Sequence, residues 1–449
     1  MDHQDESPSP SARVKLVAST GDITAGPAPA AARDSRGDGD IRAYFETAQW
    51  TADGTTLLTS SSSNEVSGYI VPADLLSARP APHALTPSAR IPLPEPSSVL
   101  AGAPYFDLSS PWTHQVLVSA QDHPLQLFYL DPNTTTTTAA ASASYPLTKD
   151  PRSETLLAAT SLVWPAPGTH FVAGARSLLA RYDASRAGDG PVSRIRTIPS
   201  ERHLAKGGGV GMRGAVSALG HEPLGGRLIA AGTWTRWVGL YDFGAGAGEM
   251  CVATWSIASA ADGDGVTQTV WSPCGRYLVV AERTARAALV YDVRVTGRLL
   301  GWLAGREAAC NQRIGCDVFP GQHDDDGGGF EVWSGSAGGA VRVWEGVGGR
   351  EGAHAPAWGW RAHDRSAVGS ACVHMSGSVV ATCAGSWEFP DVEEEGGEGE
   401  GEGEKRMPWM RRRNKESSLK IWSIEGGGQG DEDNDERREE DEEEEAKLE

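Results

Sequence analysis

The sequence has 449 residues, with 55 glycines, 27 prolines, few aromatic side chains (7%) and a formal net charge of −20 at pH 7. No apolar run approaches the ~20 residues that a membrane-spanning helix needs, so we expect no association with a membrane. The N-terminal segment MDHQDESPSP is acidic and lacks an apolar stretch, so no signal peptide is predicted and an intracellular protein is expected.

The negative charge is concentrated in two segments. Residues 425–449 contain 14 acidic and 3 basic side chains, and residues 388–416 contain 10 acidic and 6 basic ones. The rest of the chain carries a net charge of only about −5. A body with nearly balanced charge is compatible with a polyanionic partner.

The sequence lacks the common catalytic motifs. It contains no P-loop, no G-x-S-x-G and no H-E-x-x-H, so we predict no catalytic residues, no small-molecule substrate and no enzymatic activity. The cysteines at positions 251, 274, 310, 316, 372 and 383 form no C-x-x-C pair and no closely spaced pair with His. They therefore predict no metal site, no cofactor and a reducing compartment.

The chain begins with a segment of low complexity. Residues 1–40 are rich in Ser, Pro, Ala, Gly and Asp and offer too little apolar surface to fold alone, so a disordered leader is predicted.

From residue 41 onward one pattern recurs. A turn lies between two apolar strands, and about 15 residues later an aromatic residue ends a further apolar run. The matching pairs are Gly54–Tyr69, His114–Tyr129 (a looser match, without Gly), Gly168–Tyr182, Gly226–Tyr241, Gly275–Tyr291 and Gly329–Trp344. Gly377–Trp422 is a seventh pair, once an insertion of about thirty residues is set aside.

Seven such units with a period near 50 residues are typical of an all-β fold, a seven-bladed β-propeller of the WD-repeat kind. One unit cannot bury both faces of its small sheet, so neighbouring units must stack on it. We predict a single domain over residues 41–424 with disordered termini. The alternative, an unrelated all-β sandwich, would not keep the interval constant.

Two segments interrupt the predicted propeller. A low-complexity loop rich in Thr, Ala and Ser covers about residues 131–144, and a disordered acidic and basic insertion covers about residues 388–416 in blade seven. Blade three is predicted to run from about Tyr145 to Ser185, and blade seven is predicted to begin at Trp358. The acidic tail, residues 425–449, is predicted to be disordered.

The basic half of the insertion has two interpretations. It is a candidate nuclear localisation signal or anion-binding loop, or else a solvated segment that neutralises the acidic half beside it. Its basic residues are Lys405, Arg406, Arg411, Arg412, Arg413 and Lys415.

His363 lies where a WD repeat places a structural histidine. We expect its ring to form hydrogen bonds inside the blade rather than to act in catalysis.

Basic residues cluster between Arg176 and Arg236, where ten stand against four acidic ones. Such a cluster would attract phosphates and make binding depend on salt. In the segment TWTRW, Trp234, Arg236 and Trp237 are predicted to lie in or beside a loop between strands c and d. Aromatic rings beside a guanidinium group are surfaces on which unpaired bases stack. The alternative is that at least one of these tryptophans packs between blades.

Several motifs resemble the telomerase Cajal body protein family, whose WD-repeat members bind small Cajal-body RNAs and telomerase RNA. The resemblance spans the predicted blades, clearly over about 41–346 and weakly over 358–424. The motifs are QWTADGTTLLTSSSSN from Gln49, HQVLVSAQDHPLQLF from His114, AAGTWTRWVGLYD from Ala230, and NQRIGCDVFP from Asn311 followed by WSGSAGGAVRVWE.

The resemblance implies a nuclear protein of the Cajal body or nucleoplasm that binds RNA. Arg236 and Arg313 match family positions and are expected to contact RNA or shape its site, although Arg313 is equally suited to an ion pair between blades. Arg176 and Arg213 are further candidates. The Thr-rich loop, the interrupted seventh blade, the leader and the acidic tail have no counterpart in the family.

Two hypotheses follow. The first is a non-enzymatic scaffold that binds small nuclear or Cajal-body RNA, telomerase RNA among the candidates, together with RNP proteins, and assists RNP biogenesis or localisation. The second is a protein-only interaction platform in pre-mRNA splicing or chromatin complexes, because a propeller alone does not determine function.

Overall fold

In the computed structural model, the residues that the structure describes are 14–23, 43–131, 140–150, 152–198, 212–244, 249–321, 329–386 and 416–424. They form thirty β-strands and one turn of 3-10 helix, Pro111–Thr113. None of the described residues belongs to a helix long and apolar enough to cross a membrane.

Seven antiparallel sheets, each with four strands named a to d from the centre outward, form the blades. Blade 1 contains β2 (Phe45–Trp50), β3 (Thr56–Ser61), β4 (Glu65–Ile70) and β6 (Ala89–Pro92). Blade 2 contains β7 (Ser97–Gly102), β8 (Gln115–Ala120), β9 (Leu125–Tyr129) and β10 (Ala143–Tyr145). Blade 3 contains β11 (Ser161–Val163), β12 (His170–Ala175), β13 (Leu178–Asp183) and β14 (Ser193–Arg196). Blade 4 contains β15 (Val216–His221), β16 (Leu228–Thr233), β17 (Trp237–Asp242) and β18 (Met250–Ser256).

The last three blades follow the same plan, and two of them gain a short fifth strand. Blade 5 contains β19 (Val266–Trp271), β20 (Tyr277–Glu282), β21 (Ala288–Asp292) and β22 (Leu299–Leu303), with β26 (Gly352–His354) parallel to β22. Blade 6 contains β23 (Cys316–Phe319), β24 (Phe330–Gly335), β25 (Ala340–Val347) and β27 (Trp358–Arg361). Blade 7 contains β28 (Val368–Val373), β29 (Val379–Ala384), β30 (Leu419–Ile424) and β1 (Val14–Ser19), with β5 (His83–Ala84) parallel to β1.

The predicted seven-bladed propeller is therefore confirmed, and its repeat has a clear structural origin. The glycines that mark the repeat lie in the turns between strands a and b, where a positive φ is needed, for example 71° at Gly54 and 68° at Gly275. The aromatic residue that ends each unit lies in strand c. Tyr182 and Trp344 are both buried there against the neighbouring blade.

The first and last described strands pair with each other and close the ring. β1 runs antiparallel to β30, with Leu16 opposite Trp422 and Ser19 opposite Lys420. Ala18 is fully buried. The prediction of a disordered leader over residues 1–40 is wrong for Val14–Ser19. This strand was missed because its partner lies about 400 residues away in the sequence. The rest of the leader, apart from residues 20–23, is outside the described residues.

The outer strands also shift two predicted blade limits. Trp358–Arg361 was predicted to begin blade seven but is strand d of blade 6, where Val343 pairs with Trp358. Tyr145 was expected near the start of blade three and belongs to strand d of blade 2. Long loops separate strand d from strand c in these blades, and the sequence pattern contains no signal for pairing across them.

His363 makes the hydrogen bonds expected of a structural histidine. Its Nε2 lies 2.8 Å from Thr382 Oγ1, and its Nδ1 lies 2.9 Å from Glu416 Oε1. Trp422 Nε1 also donates to Thr382 Oγ1, at 2.9 Å. This series of hydrogen bonds joins the loop before blade 7 to strands b and c of that blade, so the role of His363 is structural.

Because the strands alternate in direction, the b–c turns and the d–a loops of all blades lie on one face of the ring. We call this the upper face, and we call the face that holds the a–b and c–d connections the lower face.

Candidate nucleic-acid interface

A central channel with a volume of about 730 Å³ runs between the innermost strands of the seven blades. Its wall mixes polar and apolar groups, and every strand a contributes to it. Three charged side chains line it: Glu46 of blade 1, and Arg313 and Asp317 of blade 6. A ligand in the channel would bind to those charged groups that still have unused hydrogen-bond donors or acceptors.

Arg313 crosses the channel. It belongs to the loop that leads into blade 6, yet its Nη2 donates to the carbonyl of Ser217 in blade 4, at 3.2 Å. Burial and the nearby Arg283 lower its pKa, while Glu46 acts in the opposite direction. Within the described residues no carboxylate lies at ion-pair distance, so the inter-blade ion pair considered for Arg313 is not formed there. One of the five N–H donors of its guanidinium group is used by Ser217, and the residue is half-buried in the channel wall.

Arg283 and Trp234 lie together on the upper face, and Arg283 is close enough to Arg313 to lower its pKa. Trp234 lies in the b–c turn of blade 4 with 48% of its surface exposed, and the guanidinium carbon of Arg283 is 3.9 Å from its ring centre. Arg283 begins the b–c turn of blade 5. Gly265 packs so closely that an added Cβ would lie 2.8 Å from the carbonyl oxygen of Trp234. The turn is thus held in place while one side of the indole remains free.

Arg236 forms a structural ion pair with Glu282. Its Nε and Nη2 donate to the two carboxylate oxygens of Glu282 at 2.7 and 3.1 Å, and Nη2 also donates to the carbonyl of Ala261. Glu282 is only 1% exposed. The geometry therefore favours a role in shaping the site, by tying the b–c turn of blade 4 to blade 5, over direct contact with RNA.

The other candidate RNA-binding residues also include some that the fold itself uses and some that are exposed. The segment TWTRW is the b–c turn of blade 4, not a c–d loop as predicted. Trp237 packs into the core between blades 3 and 4, as the alternative interpretation held for one of the tryptophans. Arg176 is exposed and pairs through its backbone with Ala215, and Thr235 Oγ1 donates to the carbonyl of Arg213 at 2.7 Å.

We call Trp234, Arg283 and Arg313 the channel-mouth site, with Arg176 and Arg213 on its flank. These residues all belong to b–c turns or d–a loops and so lie on the upper face. Sequence reasoning missed Arg283 because it lies outside the basic run. The available signal was the repeat itself, since b–c turns of successive blades are neighbours in space.

Comparison with known proteins places the chain among relatives of one kind. It is 26% identical to telomerase Cajal body protein 1 of Bos taurus over 387 residues, which cover 86% of this chain and 65% of that protein. It is also 26% identical to telomerase Cajal body protein 1 of Homo sapiens over 386 residues, 84% of this chain and 63% of that protein. The chain is thus similar to the telomerase Cajal body proteins over most of its length.

The likeness predicted from the motifs is thereby confirmed, with limits. The chain spans slightly less than two thirds of the length of these relatives of the telomerase Cajal body type. No family model matches the sequence. A relative with a different name is the guanine nucleotide-binding protein negative regulator 1 of Schizosaccharomyces pombe, 25% identical over 305 residues, 67% of this chain and 70% of that protein.

Several other described basic residues of the run 176–236 lie away from the channel-mouth site. Arg186 and Arg227 lie toward the lower face, where they pair with Asp189 and Asp242. Arg181 pairs with Glu249 at 2.7 Å. The basic run therefore supplies fewer ligand-facing groups than its charge suggests.

The basic residues proposed as a nuclear localisation signal, Lys405, Arg406, Arg411, Arg412, Arg413 and Lys415, lie outside the described residues. The insertion that carries them leaves the fold between β29 and β30, the b–c connection of blade 7. Its attachment points are thus on the upper face. No group of three or more potential metal ligands is found among the residues that the structure describes.

Proposed function

We propose that the protein is a non-enzymatic scaffold that binds a small nuclear or Cajal-body RNA at the channel-mouth site and acts in RNP biogenesis or localisation in the nucleus. Telomerase RNA is one candidate client. The names of the relatives support this proposal, because they refer to telomerase and the Cajal body. The lack of a catalytic motif agrees with a role in binding.

One observation supports the proposal: Arg283 lies over the half-exposed ring of Trp234, and a second arginine, Arg313, lines the channel nearby. Trp234 offers a flat surface for an unpaired base, and such stacking tolerates any base because every base has a π-face. Arg313 offers a planar fork that matches the geometry of a phosphate group. Arg176 and Arg213 add positive charge along the same face.

The proposal is tested by titrating the full chain with a fluorescently labelled small Cajal-body RNA at several salt concentrations. We expect affinity to fall steeply as salt rises. The double variant Arg283→Glu and Arg313→Glu should lose at least about tenfold in affinity, since two phosphate-facing charges are reversed. The matched control is Arg186→Glu, which makes a charge reversal at an exposed lower-face arginine. Equal affinity of the double variant and the control would refute the site.

A second candidate is supported by the name of the fission-yeast relative, which refers to regulation of a guanine nucleotide-binding protein. On that basis the propeller would act as a platform for proteins alone, as adaptors in splicing or chromatin complexes do. This candidate predicts no specific RNA affinity. It therefore makes the opposite prediction for the titration above.

A further inference from the structure

Three exposed aromatic side chains form a patch on the lower face of blade 2. Tyr105 is 38% exposed, Tyr129 is 45% exposed and Trp112 is 70% exposed. Gln115 holds them together: it accepts a hydrogen bond from the Tyr105 hydroxyl at 2.7 Å and donates to the Tyr129 hydroxyl at 2.7 Å and to the Trp112 carbonyl at 3.2 Å. We call Tyr105, Trp112 and Tyr129 the aromatic patch.

The loop that presents Trp112 is held rigidly. Thr113 Oγ1 donates to the carbonyl of Ser110 at 2.7 Å and accepts from the amide of Asp107 at 2.9 Å. The amide of Leu108 donates to Asp53 of blade 1 at 2.8 Å. A loop held by these hydrogen bonds has little backbone entropy left to lose when a ligand binds. The patch is therefore organised before any partner arrives.

The charge around the patch has one sign. On the lower face, Asp107 lies in the a–b loop with Trp112 and Asp131 follows Tyr129 by two residues, and the sequence contains no Lys or Arg between Arg90 and Lys149. Asp107 belongs to the same loop as Trp112, and hydrogen bonds from Ser109 and Ser110 lower its pKa. Its carboxylate is thus ionised at neutral pH. A cationic partner is favoured here and a nucleic acid is repelled.

We propose that the aromatic patch docks a basic peptide of a partner protein, with a lysine or arginine side chain on the ring faces and a second cation near Asp107. Cations bind the faces of Trp and Tyr rings through the negative potential of the π-system. This surface is separate from the channel-mouth site, because it lies on the opposite face and carries the opposite charge. The ring would then hold an RNA on its upper face and a basic protein segment on its lower face.

The test uses the full chain and a short fluorescein-labelled peptide of alternating arginine and glycine, followed by fluorescence anisotropy. Saturable binding is expected, and Trp112→Ala or Tyr129→Ala should each weaken it at least about fivefold, as loss of a cation–π contact implies. The peptide with glutamine in place of arginine should not bind. Arg283→Glu combined with Arg313→Glu should leave the peptide affinity unchanged, which separates this proposal from the RNA-binding one.

The matched control is Leu224→Ala, which removes a side chain that is 75% exposed in an a–b turn on the same face. It should bind the peptide as the parent chain does. Attraction of the peptide to the acidic tail alone would be unaffected by Trp112→Ala, so equal binding by that variant overturns the proposal. Preference for a proline-rich peptide over the arginine peptide would likewise overturn the choice of partner.

Discussion

The guanidinium group of Arg283 lies over the ring of Trp234, at 3.9 Å from its centre, and so links the b–c turns of blades 4 and 5. Close to it, Arg236 is held by Glu282, the last residue of β20. Two neighbouring arginines thus make different contacts, since Arg236 forms an ion pair with a buried carboxylate and Arg283 lies over a half-exposed indole ring. This difference leads to separate predictions for the two.

Trp234→Ala should weaken RNA binding without changing its salt dependence. Stacking of one base on an aromatic ring contributes about 1–3 kcal/mol, so a loss of roughly fivefold to a hundredfold is expected. Arg283→Gln should instead lower both the affinity and the slope of log K against log salt, by about 0.7 for one phosphate contact. A salt titration of both variants checks this. The same change of slope in both would contradict the assignment of stacking to Trp234.

Arg236→Ala should destabilise the fold. It leaves the carboxylate of Glu282, only 1% exposed, without its partner, and an unpaired buried charge costs about 3–5 kcal/mol. Arg236 also has φ of 63°, which the ion pair helps to maintain. Urea unfolding should show that the double variant Arg236→Ala and Glu282→Ala is less destabilised than Arg236→Ala alone. Strictly additive losses would show that the two residues are not coupled.

Removing β1 should weaken the closure of the ring. Deletion of residues 1–19 exposes the edge of β30, whose ladder with β1 pairs Val14 with Ile424 and Ser19 with Lys420. At about 1 kcal/mol for each hydrogen bond lost, we expect a loss of about 3 kcal/mol or more and a tendency to associate through the open edge. Thermal unfolding and size-exclusion chromatography check this. Deletion of residues 1–13, which precede the strand, is the control and should retain the stability of the full chain.

The free energy of unfolding should fall as the pH is lowered, because His363 and Glu416 both have lower pKa values in the folded protein than in the unfolded chain. Burial lowers the pKa of His363, so its contribution is complete above about 6.5 and is lost below it. Burial opposes ionisation of Glu416, but hydrogen bonds from His363, Lys420 and Ser418 outweigh it and lower its pKa. Its contribution is complete above about 4.5 and is lost as the pH falls further.

The measurement is the urea midpoint at pH 7, 5.5 and 4 for the parent chain and for Glu416→Gln. Asp317 acts in the opposite sense, because burial raises its pKa to about 6, so its contribution is lost as the pH rises through that value. Asp317 is present in both the parent chain and Glu416→Gln, so its effect on stability cancels when the two are compared. The variant should lose less stability than the parent below pH 4.5. Parallel losses would show that Glu416 does not contribute.

Replacement of Lys405, Arg406, Arg411, Arg412, Arg413 and Lys415 by glutamine should abolish nuclear accumulation of the fluorescently tagged chain. A run of basic residues in an insertion attached at the surface is the form that a localisation signal takes. The stability of the propeller should not change. Continued nuclear accumulation would leave only the interpretation of a solvated insertion that neutralises its own acidic half.

Much of the fold could be predicted because each blade repeats the same local sequence pattern. Gly54, Gly168 and Gly275 mark a–b turns, and the aromatic residue about 15 positions later marks strand c, so both signals lie close together in the sequence. The closure by Val14–Ser19 could not be predicted in this way. It depends on pairing between strands at opposite ends of the chain, for which a six-residue alternation is too weak a signal.

The site was harder to predict than the fold. Composition identified the basic run, but it could not show that Arg236 is neutralised by Glu282, or that Arg227 faces Asp242 on the other side of the ring. It also missed Arg283, which joins Trp234 only because successive b–c turns meet on the upper face. Which guanidinium groups remain free depends on contacts between blades, and these have no signature in the local sequence.

Ultraviolet crosslinking of the full chain in cells, followed by sequencing of the attached RNA, tests the central claim most directly. We predict enrichment of small nuclear or Cajal-body RNAs, with crosslinked peptides around Trp234 and Arg283, and loss of that enrichment in the Arg283→Glu and Arg313→Glu double variant. Crosslinked material with no enriched small RNA, or an unchanged RNA profile in the double variant, would contradict the account.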